Sequence, residues 1–87
     1  MPEDYIGQIV IVDLQSPFVC LGTLHALGDH FVELRNADLH DLRDGSSSRE
    51  AYIADSKSTG VKRNRKRVYL VRAGVVAISL LKDFVDE

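Results

Sequence analysis

Six of the eleven basic residues fall within twelve positions. Lys57, Lys62, Arg63, Arg65, Lys66 and Arg67 occupy residues 56–67, a segment that holds no acid. Residues 1–55 carry ten acids against three bases, and residues 68–87 three acids against two bases. Cations at this density can neutralise the phosphates of a polyanion, and repetition around an assembly would sum their field despite a net charge of −2. The same cations can instead be spent on Asp38, Asp41, Asp44, Glu50 and Asp55, in exposed pairs that each contribute about 0–1 kcal/mol. The sequence leaves both uses open. Arg72 stands apart from the run: its planar fork suits a phosphate or a base edge, and suits equally well the anchoring of its own turn through nearby carbonyls.

Other chemistry is sparse. His25, His30 and His40 are the only histidines, and Asp38-Leu39-His40-Asp41 gathers carboxylates around one of them. A metal site needs three or four converging ligands, which adjacency along a loop does not supply, so this cluster reads as solvated and no metal is expected. No serine sits in a nucleophile elbow and no Gly-rich phosphate loop precedes a helix, so neither an enzyme nor a cofactor is expected. Cys20, the single cysteine, has no intrachain partner and reads as a small buried or interface hydrophobe.

The elements that must position these groups have to fit 87 residues, which suffices for one domain over 1–87. Such a chain buries about 60–65% of its unfolded surface and gains roughly 4–13 kcal/mol, so self-association would help it. No stretch approaches the roughly 20 apolar residues of a membrane span, and Met1–Gly7 lacks signal-peptide character. A cytoplasmic protein with no membrane partner is the expectation.

Ile9-Val10-Ile11-Val12-Asp13-Leu14 is a β-branched run that predicts a first strand. Gln15-Ser16-Pro17 turns the chain, and Phe18–Leu27 predicts a second strand bent at Gly22. After Gly28-Asp29, His30–Asn36 predicts a half-buried third strand, with Phe31, Glu33 and Arg35 on one face and Val32 and Leu34 on the other. The strand pattern then lapses between Ala37 and Arg67, an insertion of about 37–66 with little regular structure. Within it, Ser48 is placed to cap a short helix from Arg49 to about Ser56, with Gly60 a stop slightly beyond. Strand character returns at 68–72, breaks at Ala73-Gly74 and resumes at 75–81, as a hairpin or as one long strand bent at Gly74. Lys82–Glu87 reads as a charged tail.

Five short strands with a bend-forming glycine suit a small, strongly curved closed barrel, which leaves no free edge. Three segments then resemble the Sm-like (LSm) superfamily: Ile6-Gly7-Gln8-Ile9-Val10-Ile11-Val12, Phe18-Val19-Cys20-Leu21-Gly22-Thr23-Leu24, and Asp29-His30-Phe31-Val32. Val71-Arg72-Ala73-Gly74-Val75-Val76 looks like a degraded form of that family's second signature. The resemblance covers residues 6–36 and 67–81. Asp29-His30-Phe31-Val32 is closest to the bacterial host-factor branch. No Asn follows Asp29 at the family spacing, and the glycine after Arg72 stands one place late. PRC-type barrels share the pattern of residues 6–24, and the Arg72 region favours the Sm-like reading over them.

The resemblance implies a mainly β, five-stranded, strongly bent barrel of SH3 type with a long loop and short helix between strands 3 and 4. It also implies a homo-oligomeric ring closed by edge-to-edge pairing of strands 4 and 5, with Val68, Leu70, Val76, Ile78 and Leu80 at the interface. The almost continuous apolar character of those two strands points the same way, because strands apolar on both faces need cover on both. Single-stranded RNA is the implied partner, held by Asp29, His30 and Arg72 near the central opening and by Lys62, Arg63, Arg65, Lys66 and Arg67 in the basic loop. The alternative is a scaffold ring without nucleic-acid binding, in which the 37–66 segment docks a protein around Tyr52 and Ile53.

Overall fold

The computed structural model describes residues 1–86, so Glu87, the last residue of the expected tail, lies outside the described residues. It contains β1 (Ile9–Leu14), β2 (Phe18–Leu27), β3 (Phe31–Asp41), α1 (Arg49–Thr59), β4 (Arg65–Val71) and β5 (Val75–Leu80). All neighbouring strands are antiparallel, in the order β4-β3-β2-β1-β5. β1, β2 and α1 form where the sequence places them. The helix runs one turn further than expected, to Thr59. Ser48 caps it by accepting the Ala51 N–H at 3.1 Å, and Gly60 follows it at φ 101°, a backbone region that favours glycine.

The sheet bends because two strands break step. Asn36 adopts φ 49°, and this single left-handed residue moves the inward set of β3 from Val32 and Leu34 to Ala37 and Leu39. β3 therefore does not end at Asn36 but continues to Asp41. Beside the bulge, a Cβ placed on Gly22 would lie 2.8 Å from the Ala37 Cβ, so the glycine is required by close approach of β3 to β2. The expected insertion shrinks accordingly: of residues 37–66, only 42–48 and 60–64 lie outside strands and helix.

Period-two alternation then sorts the apolar residues into two clusters. Val10, Val12, Cys20, Leu24, Val32, Leu34, Leu70 and Leu80 meet inside the curve of the sheet. Ile11, Val19 and Leu21 point to the opposite face, where Ile53 of α1 and Leu81 cover them, flanked by Tyr52 and Phe84. The helix thus seals the back of the sheet, and burying a side chain the size of Ile53 contributes roughly 1.5–3 kcal/mol. Arg49 pairs with Asp13 of β1, which ties the start of α1 to the sheet, and Lys57 Nζ donates to the Phe84 carbonyl at 2.7 Å, which ties its end to the segment after β5. The tail beyond Lys82 is accordingly not wholly solvated, since Phe84 packs on this cluster.

β4 and β5 lie at opposite ends of the strand order, so the barrel is not closed by a ladder between them. The Ala73-Gly74 break is a sharp bend, the short 3-10 turn Arg72–Gly74, and not a hairpin. Leu70 and Leu80 turn their side chains into the inner core, while the backbones of their strands form the two free edges of the sheet. Among the interface candidates only Val76 is well exposed, at 62%, while Val68 and Ile78 are half-buried.

Candidate nucleic-acid interface

The β2–β3 turn presents Gly28, Asp29 and His30 to solvent. It closes through the Gly28 N–H, which donates to the Phe31 carbonyl at 2.8 Å. Arg72 joins this turn to the β4–β5 bend. Its Nη1 donates to the Gly28 carbonyl at 2.6 Å, and its backbone N–H donates to the His30 carbonyl at 2.9 Å. The turn-anchoring role that the sequence left open for Arg72 is therefore filled, and its exposed guanidinium keeps further donors for a ligand. Phe31 and Tyr69 stand beside the turn, 51% and 55% exposed, in an edge-to-face contact with centroids 6.3 Å apart.

The basic run lies at the other end of β4. Arg65 opposes Ala37 and Arg67 opposes Arg35, whereas Val71 opposes Phe31 next to the turn. At about 3.3 Å per residue, Arg65 and Val71 are about 20 Å apart. Asp29, His30 and Arg72 thus form one exposed cluster, and Lys62, Arg63, Arg65, Lys66 and Arg67 form another. The two do not converge within one subunit.

Of the five acids that compete for the basic run, only Asp55 takes a cation from it, Lys62 at 3.7 Å. Asp41 is engaged by Arg43, whose guanidinium hydrogen bonds hold the carboxyl down at a pKa of about 2. Asp38 is 6% exposed and is met by neutral donors, the Tyr52 hydroxyl at 2.6 Å and Asn64 Nδ2 at 2.9 Å. Arg63, Arg65 and Lys66 make no ion pair among the described residues. Glu33, which the sequence did not mark out, accepts a hydrogen bond from Arg35 Nε at 3.0 Å and forms an ion pair with Arg67 Nε at 3.3 Å. The alternation of β3 placed Arg35 on an exposed face, but only the β3–β4 register brings it opposite Arg67.

A cleft of about 760 Å³ opens between α1 and the end of β3, lined by Asp38, His40, Tyr52, Asp55, Ser56 and Asn64 among others. His40 stacks on Tyr52 with centroids 3.9 Å apart and planes 9° from parallel. Burial and the hydrogen bond to Asp38 push the Tyr52 hydroxyl pKa upward, so it remains a proton donor at neutral pH. No group of three or more metal-ligating side chains converges here or elsewhere among the described residues. Ile53 is buried against the sheet and Tyr52 is committed to Asp38 and His40. The pair forms a structural joint between α1 and the sheet.

No protein-family model and no curated protein matches the sequence. Solved structures do match the fold. An Sm protein of Pyrococcus abyssii in complex with a uridine heptamer superposes with a TM-score of 0.62 at 22% identity, covering 90% of this chain and 89% of that one. An Sm-like protein of Archaeoglobus fulgidus gives 0.60 at 18% identity, over 90% and 85% of the two chains. A chain in the NatC complex bound to CoA gives 0.60 at 23% identity, over 92% and 83%. A bent sheet of five antiparallel strands, with one helix between β3 and β4, places this chain in the Sm-like fold.

Proposed function

We propose that this chain is a non-enzymatic, single-domain cytoplasmic protein of the Sm-like type that assembles into a homo-oligomeric ring and binds single-stranded RNA. The observation that carries the reading is the Arg72 bridge between the two turns, in a fold shared with a protein solved around a uridine heptamer. Asp29, His30 and Arg72 would face the RNA at one end of β4. The basic segment Lys62, Arg63, Arg65, Lys66 and Arg67, largely free of acidic partners, would attract the backbone at the other.

Support for the ring is the pair of unpaired edges at opposite ends of one sheet. Joining β4 of one copy to β5 of the next is a head-to-tail contact, which closes into a ring when the rotation permits. Tyr69 and Val71 on β4 and Val76 on β5 are exposed apolar residues that such a contact would cover, with Val68 and Ile78 at its inner margin. Leu70 and Leu80 would contribute backbone pairing only.

The test is purification at low salt followed by light scattering and a 260/280 nm ratio. A ring-sized particle whose affinity for a labelled uridine oligomer falls with a log–log salt slope of about −2 to −4 supports the reading. A monomer at micromolar concentration sinks the ring, and no RNA binding at low salt sinks the RNA assignment. The second reading, a protein-binding platform, is favoured by the likeness to a chain inside the NatC complex. It would appear as a ring free of nucleic acid.

A further inference from the structure

Arg35 and Arg67 are direct cross-strand partners, an arrangement of like charges that is unfavourable on a sheet unless an anion lies between or beside them. One carboxylate, Glu33, serves both. The two Nε atoms approach the same oxygen, Oε2, and Glu33 itself is largely covered, with 12% of its side chain exposed. Among the described residues no Nη atom of either guanidinium makes a hydrogen bond. Lys66 adds a third cation with no acidic partner among the described residues. The left-handed Asn36 falls between the paired positions Arg35 and Ala37, outside the β3–β4 register, and lines with Arg35, Lys66 and Arg67 a basin of about 490 Å³. Two guanidinium groups share one carboxylate through their Nε sides and leave their outer N–H groups unpaired, while Lys66 brings a third, unpaired cation to the same open hollow.

We infer that this basin is a phosphodiester clamp: Arg35, Arg67 and Lys66 hold nucleic-acid backbone without regard to base, as a contact separate from the Asp29–His30–Arg72 turn. Guanidinium forks match phosphate oxygens in bidentate geometry. Contacts to phosphate fix register and contribute affinity, whereas base discrimination comes from groups that reach base edges. The inference rests on the RNA reading above and adds Arg35 and Asn36 to its surface. Glu33 holds the arginines in place and competes with the incoming phosphate for their charge.

The test measures fluorescence anisotropy of labelled oligouridine and oligoadenosine over about 50–200 mM salt. Arg35→Gln combined with Arg67→Gln should weaken both oligomers alike. It should make the salt slope shallower by about 1.4, roughly a sevenfold smaller loss of affinity across that range. Glu33→Gln should act oppositely, with tighter binding and a steeper slope for both, which keeps the inference testable if the double variant does not fold. Arg72→Gln should change the uridine-to-adenosine ratio instead. A folded double variant that binds like the parent, or loses affinity for one base only, overturns the clamp and leaves RNA binding standing. Weaker binding by Glu33→Gln likewise overturns it. Failure of the parent protein to bind either oligomer at low salt overturns the RNA reading and the clamp together.

Discussion

The hydroxyl of Tyr52 donates to Asp38 Oδ2 at 2.6 Å, and through this contact the helix between β3 and β4 is locked to the strand it follows. Asn64 completes the joint from the other side. Its Nδ2 donates to Asp38 Oδ1 and to the Leu39 carbonyl, while its Oδ1 accepts the Leu39 N–H at 3.0 Å. Asp38 is a buried carboxylate satisfied by neutral donors, so each donor matters. Tyr52→Phe should destabilise the protein by about 1–3 kcal/mol in urea titration, because it leaves a buried carboxylate oxygen without that partner. An unchanged midpoint would show that the joint carries no stability.

Burial, reinforced by the Asp38 carboxylate, pushes the Cys20 thiol up to a pKa of about 12. Its folded value lies above the unfolded one, so its contribution to stability is complete below the unfolded pKa of 9.0 and is lost as pH rises through 12. Tyr52, also raised, adds to the loss above pH 10. The urea midpoint should fall on alkaline titration, and less steeply in Cys20→Ala. In the native protein at pH 8 the thiol should react with an aromatic disulfide reagent only at the rate of unfolding.

A methyl group at position 22 has no room. Gly22→Ala would set its Cβ 2.8 Å from the Ala37 Cβ and 3.0 Å from the Ala37 Cα. The expected cost is about 1–3 kcal/mol by thermal or chemical denaturation. Ala37→Gly in the same chain should return part of it, since it removes the nearer of those two atoms. The coupling between the two substitutions, read from a double-mutant cycle, should therefore be favourable.

Val76 is exposed on the free edge strand β5 and fills no part of the inner core. Val76→Asp should leave the far-ultraviolet circular dichroism spectrum and melting cooperativity of the subunit intact while moving the particle toward monomer mass in light scattering. Leu80→Asp, two turns of the pleat further on and buried, should instead unfold the chain, because it places an unpaired carboxylate in the core. Identical behaviour of the two variants would contradict the division between edge and core.

Local pattern alone determined the extents of β1 and β2, the helix between Ser48 and Gly60, the inward set Val32 and Leu34, and the concentration of positive charge in residues 56–67. These follow from side-chain period, capping chemistry and composition, which act over a few residues. Tertiary structure decided what those elements do. One left-handed residue, Asn36, carries β3 on to Asp41 and exchanges its faces, an event with no signature in hydrophobic period. The apolar residues of β4 and β5 divide between core and edge because of how far the sheet curls, and curling is a property of all five strands together. Ile53 is covered because Ile11, Val19 and Leu21, more than thirty residues away in sequence, need a lid on the back of the sheet. The charged residues that sequence would pool into one site are set at two ends of β4, and Arg35 meets Arg67, because register between distant strands, and not proximity along the chain, chooses neighbours in space.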